Sequence, residues 1–83
     1  MFSSSEIKDL LESQLPDCEA VVVDDRNDGR HFTAQIASSA FAGKPLVQQH
    51  QLVYKALGEH MKRDIHALAI HTFTPDRWPF REV

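Results

Sequence analysis

The sequence has a single cysteine, Cys18, in 83 residues. An intramolecular disulfide is therefore excluded, which suits a reducing compartment. One thiol also cannot supply the four ligands of a self-contained iron–sulfur or structural zinc site. No apolar run approaches the roughly 18 residues that argue for a membrane span. The opening MFSSSEIKDLLESQL lacks the basic flank and apolar stretch of a signal peptide, and its early acids argue against a transit peptide. A cytosolic protein with no membrane association is expected. Glycine and proline are few, and there is no internal repeat or low-complexity segment. Nucleophile and nucleotide fingerprints are missing too: there is no Gly-x-Ser-x-Gly, Walker or dinucleotide motif. The serines fall at caps and connectors, so no enzymatic activity is expected. Asp24, Asp25 and Asp28 lack the distal glutamate of an EF-hand and read as a solvated, flexible turn.

What remains is the composition of one soluble globular domain spanning residues 1–83, with 42% hydrophobic and 25% charged residues. The net charge of −3 is unevenly spread. Residues 1–28 hold eight acids and two bases, whereas residues 29–83 hold seven bases and four acids. The second part could form a mildly basic surface, far short of a dedicated nucleic-acid binder.

Local signals give the order α-β-β-α-β. Ser3 and Glu6 form a capping box ahead of Ile7, Leu10, Leu11 and Leu15, and Pro16 ends that helix, predicted over about 4–14. Val21, Val22 and Val23 read as a strand. A polar turn through Asp24–Gly29 leads to a second strand, His31 to Ile36, in which polar and apolar residues alternate. Pro45 suits the first position of a long helix running to about residue 62, whose apolar face would hold Leu46, Val47, His50, Val53, Tyr54, Leu57 and Met61. Gly58 within it costs about 1 kcal/mol relative to alanine and is expected to allow close packing. Ile65 to Thr72 reads as a third strand, apolar on both faces at its centre and so expected to be covered on at least one side. Thr74 and Pro75 open a helical turn, and about 79–83 reads as a frayed tail. A helix between the second and third strands favours parallel pairing, and the first two strands form a hairpin. The expected fold is α+β: a three-stranded mixed sheet, central second strand, helices on one face.

Five histidines in so short a chain are unusual. In the expected topology His31 and His66 start two parallel neighbouring strands, so the two imidazoles share one end of the sheet. Cys18 falls at the opposite end and reads as a small packing residue. His50 on the helix stripe reads as a packing or hydrogen-bonding residue, His60 as a solvated one and His71 as a surface or strand-packing residue. His66 and His71 make a poor metal pair, because an odd separation in a strand sends the rings to opposite faces.

Three segments carry a family resemblance. Asp28-Gly29-Arg30-His31-Phe32 resembles the loop of BolA-like proteins. Phe41 to Tyr54, FAGKPLVQQHQLVY, resembles their long-helix entry. Ile65-His66-Ala67-Leu68 with Thr72 to Trp78, TFTPDRW, resembles their final strand and closing motif. The resemblance covers nearly the whole chain and implies a fold similar to the class II KH fold. It also implies partnership with a monothiol glutaredoxin around a shared [2Fe-2S] cluster, in iron–sulfur trafficking or iron homeostasis. Glutaredoxin and glutathione would each give a thiolate, and this chain His66 and His31; His31 places it with the histidine-loop type. The family is also associated with DNA-binding transcriptional regulation through a KH-like, helix-turn-helix surface. For that alternative the candidate bases are Lys44, Lys55, Lys62 and Arg63. This is a thin electrostatic footprint, and Gly43-Lys44-Pro45-Leu46 is not the GXXG clamp of a KH domain.

Overall fold

A computed structural model describes residues 3–63 and 67–80. Helix α1 spans Ser4–Gln14, strand β1 Glu19–Asp24, strand β2 His31–Ala37, helix α2 Leu46–Leu57, the short helix α3 His60–Arg63 and strand β3 Ala67–Phe73; 3-10 turns cover Ser39–Phe41 and Pro75–Arg77. The sheet has the order β1-β2-β3, with β1 antiparallel and β3 parallel to the central β2. The α+β class, the mixed sheet and its central strand match the expectation.

α1 has its predicted bounds because its stop and start signals are local. The Ser3 hydroxyl accepts from the Glu6 amide at 3.1 Å, and the Glu6 carboxylate accepts from that hydroxyl. At the other end Leu15 turns to extended backbone ahead of Pro16. Ile7, Leu11 and Leu15 pack onto alternate residues of the sheet, namely Ala20, Phe32, Ala34 and Ile36, with Val53 and Leu57 from α2. Full burial of each larger apolar side chain contributes about 1.5–3 kcal/mol. Both main helices thus cover one face. The other face carries Val21, Val23, Thr33, Gln35, Ala67, Ala69 and His71, of which Val23, Ala67, Ala69 and His71 are exposed.

Three expectations need correction. α2 ends at Leu57, because Gly58 takes φ 58° and ψ −134° and its amide donates to Tyr54 O at 2.9 Å. Gly58 is therefore a helix terminator, and a β-carbon there would meet nothing within 4 Å, so close packing is not its reason. The buried stripe of α2 is narrower than its apolar pattern: Val53 and Leu57 are buried, while Leu46 and Val47 are 61% and 69% exposed and Tyr54 44%. The described part of β3 is covered on one face, with Leu68 and Ile70 against the core, in line with the expected cover on at least one side. Residues 64–66, at the expected start of that strand, lie outside the described residues.

The chain's closing turn is an anchor. Pro75 opens the 3-10 turn as predicted, although the Thr74 hydroxyl makes no capping bond. Trp78 is only 8% exposed and meets the edges of Phe73 at 5.7 Å and Phe80 at 5.1 Å. Residues 81–83 lie outside the described part.

Candidate functional site

His31 opens β2 on the sheet face away from the helices. Its side chain is 24% exposed. β2 and β3 pair with His31 level with Ala67, and the Ala67 amide donates to Arg30 O at 2.9 Å. His66, the residue bonded to Ala67, lies outside the described residues. The parallel pairing that motivated the two-histidine site is therefore present on the β2 side and through Ala67.

The turn before His31 is held by its own carboxylates. Asp24 accepts from the Asp28 amide at 3.2 Å and the Gly29 amide at 2.8 Å. Asp28 Oδ1 in turn accepts from the amides of Arg30 at 2.8 Å and His31 at 3.1 Å. Asp28 Oδ2 lies 2.7 Å from His31 Nδ1. Thr33 donates to Asp25 at 2.7 Å. Asn27 and Gly29 take the left-handed backbone the turn requires, with φ 52° and 68°. The acids that read as a solvated, flexible turn are thus its bracing. Desolvation pushes the Asp28 carboxyl up, but the Arg30 amide, the His31 ring and the His31 amide outweigh it and hold the group at about 2. Asp28 is ionised at neutral pH.

The other histidines do not join this site. His50 is half-buried on α2, with Nε2 shielded and without a hydrogen-bond partner among the described residues. His60 is half-buried and shares a groove with Glu6, Asp9, Leu10 and Ser13 of α1, so it is not a fully solvated residue. His71 is exposed and pairs with Gln35. Cys18 precedes Glu19, which is level with Ala37 at the far end of β2 from His31, roughly 20 Å along a strand of this length. Among the described residues no three of His, Cys, Asp and Glu converge to hold a metal ion. The donors among the described residues suit a cluster held jointly with another molecule, and do not suit one held by these residues alone.

Of the candidate bases for nucleic acid, Lys44 and Lys55 are exposed and line one shallow groove of about 280 Å³ with Gln48, Gln51 and Leu52 along α2. Lys44 Nζ also donates to Ala40 O at 2.7 Å, which ties it to the α2 entry. Lys62 and Arg63 lie in α3, and their side chains are outside the described part. Among the described residues no helix is long and apolar enough to cross a membrane. Sequence reasoning missed Asp28 as a partner of His31. The i, i+3 spacing in Asp28-Gly29-Arg30-His31 was the available signal, since an aspartate ahead of a left-handed glycine folds its carboxylate back over the following residues.

Comparison with known proteins follows this architecture. A solved BolA protein homologue from Coxiella burnetii superposes with a TM-score of 0.81 at 38% identity, covering 94% of this chain and 97% of that one. The BolA domain of SufE1 from Arabidopsis thaliana gives 0.75 at 36% identity, covering 88% and 92%. The DNA-binding transcriptional regulator BolA of Haemophilus influenzae is 43% identical over 53 residues, which are 64% of this chain and 52% of that protein. The match thus spans about half the length of such curated relatives. The family model described as BolA-like protein matches residues 6–77. With that match, the shared sheet order and the solved relatives, the chain belongs to the BolA family.

Proposed function

We propose that this chain is a non-enzymatic partner of a monothiol glutaredoxin, sharing a [2Fe-2S] cluster and acting in iron–sulfur trafficking or iron homeostasis. The observation that supports it is His31: an imidazole at the mouth of β2, its Nδ1 already engaged by a carboxylate, level with the residue that follows His66. His31 and His66 would bind one iron, and glutaredoxin and glutathione would supply thiolates for the other. Bound there, the cluster supplies one-electron redox chemistry at a potential raised by imidazole ligation. His31 and His66 would hold it, with His31 carried at the start of β2 level with Ala67 of β3.

The test mixes the chain with cluster-loaded monothiol glutaredoxin and glutathione. A defined heterocomplex with an altered visible circular dichroism spectrum is expected. His66→Ala should remove that signature while the fold survives. His31→Ala should leave a more labile cluster, and His31→Cys should rebuild one with more thiolate character and a lower potential. No interaction with several such glutaredoxins, or a His66→Ala variant that behaves as the unmodified chain, would refute the assignment.

A second reading is DNA binding. The groove holding both Lys44 and Lys55, and relatives named as DNA-binding transcriptional regulators, favour it. Two exposed cations, Lys44 just before α2 and Lys55 on it, suit few phosphate contacts and a shallow salt dependence. A tight, sequence-specific complex at physiological salt would rank this reading first.

A further inference from the structure

The β1–β2 turn carries more carboxylates than a chain reversal needs, and each has a separate task. Asp24 holds the amides of Asp28 and Gly29, and so fixes the backbone that carries the Asp28 side chain. Asp28 then divides its two oxygens. Oδ1 takes the amides of Arg30 and His31, while Oδ2 faces the His31 ring at 2.7 Å. An ionised carboxylate can only accept. The ring nitrogen opposite Oδ2 must therefore carry the hydrogen. In a neutral imidazole one nitrogen donates and the other holds the lone pair, so a hydrogen on Nδ1 puts the lone pair on Nε2.

We propose that Asp28 is a positioning residue that fixes His31 in the Nδ1–H tautomer and so makes Nε2 the ligating nitrogen toward the shared cluster. This inference rests on His31 being a ligand, as argued above. A metal-bound imidazole whose other nitrogen donates to a carboxylate is held in orientation and is a more basic ligand. The brace from Asp24 through Asp28 to the ring thus runs entirely within one turn, and it is complete in the isolated chain before any partner arrives.

Asp28→Asn separates the ring contact from the backbone contacts. The amide oxygen can still accept from Arg30 and His31. The amide nitrogen, however, offers hydrogen to Nδ1, so Nδ1 must accept and the ring hydrogen moves to Nε2. Nitrogen NMR of the isolated chain at about pH 8.5, some two units above the usual imidazole range, reads the tautomer directly. The unmodified chain should show Nδ1–H and the asparagine variant Nε2–H. In the complex with cluster-loaded glutaredoxin and glutathione, the variant should hold the cluster roughly 10–100-fold more weakly against a chelator. Its reduction potential should rise, because the ligand has lost electron donation from the carboxylate. An Nε2–H tautomer in the unmodified chain overturns the proposal without need of any variant. An asparagine variant with unchanged cluster retention and potential overturns it as well. If the unmodified chain takes no cluster from glutaredoxin, the parent reading and the cluster role of Asp28 both fail, while the NMR result still decides whether Asp28 sets the ring.

Discussion

Cys18 sits half-buried beside the core, packed against it just before β1. Burial, and next the Glu12 carboxylate, push its thiol from 9.0 up to about 11. The folded value lies above the unfolded one. The neutral thiol therefore contributes stability that is fully present below pH 9.0 and is lost as pH rises through about 11. Other groups titrate in that range, so the measurement is a difference: melting temperature against pH for the unmodified chain minus that for Cys18→Ala. The difference should shrink between those two values and stay flat at neutral pH. The thiolate fraction at pH 8 should also be roughly 100-fold below that of an unfolded thiol, which slows alkylation accordingly. Cys18→Ser should keep the glutaredoxin complex and its spectrum, since the residue lies at the other end of β2 from His31. Rapid alkylation at neutral pH, or loss of the cluster from a folded Cys18→Ser, would contradict this placement.

At the scale of an element, α2 shows how one backbone angle reverses the expected sign of a substitution. From helix propensity alone, Gly58→Ala should stabilise by about 1 kcal/mol. With φ 58° and ψ −134°, Gly58 occupies a region that side chains rarely adopt, although space is available around it. Such a strained residue costs about 1–3 kcal/mol. Gly58→Ala is therefore expected to destabilise, by that amount, in urea unfolding with an unchanged slope. A stabilised variant would mean that α2 runs on through Gly58. The same element shows why apolar spacing overstated the core. Leu46 and Val47 share the helix with Val53 and Leu57, but they are exposed in its first turn, where the contact with β3 is a polar one, from the Thr72 hydroxyl to Gln49.

Across the whole molecule, Ser38 joins three separated segments at the sheet end opposite His31. It is fully buried. Its amide donates to Phe73 O of β3 at 3.2 Å, and its hydroxyl donates to Pro16 O after α1 at 2.6 Å and accepts from the Ala40 amide. Trp78 closes the same end against Phe73. Ser38→Ala would leave the Pro16 carbonyl without its donor, at a cost of about 1–3 kcal/mol. In a domain of this size each kcal/mol lowers the melting temperature by about 4–8 °C. An unchanged melting temperature would show that the carbonyl finds another donor and that the junction does not depend on Ser38.

The sequence by itself determined the order of elements, the limits of α1, the hairpin and the parallel pairing of β2 with β3. It also set His31 and Cys18 at opposite sheet ends. Each of these rests on signals acting within a turn or on connection length: Ser3 and Pro16 bound a helix, Gly29 permits a reversal, and an intervening helix requires a crossover. Family membership was legible in three short segments for the same reason. Only the tertiary structure decided which part of α2 is buried, that Gly58 ends it, that Trp78 locks the closing turn and that β3 leaves one face uncovered. Those outcomes depend on where a helix meets a sheet, which no periodicity within the helix records. The bond from Asp28 to His31 falls between the two cases. Its partners are three residues apart, yet the contact exists because Asp24 holds the turn and β3 continues the sheet beyond it.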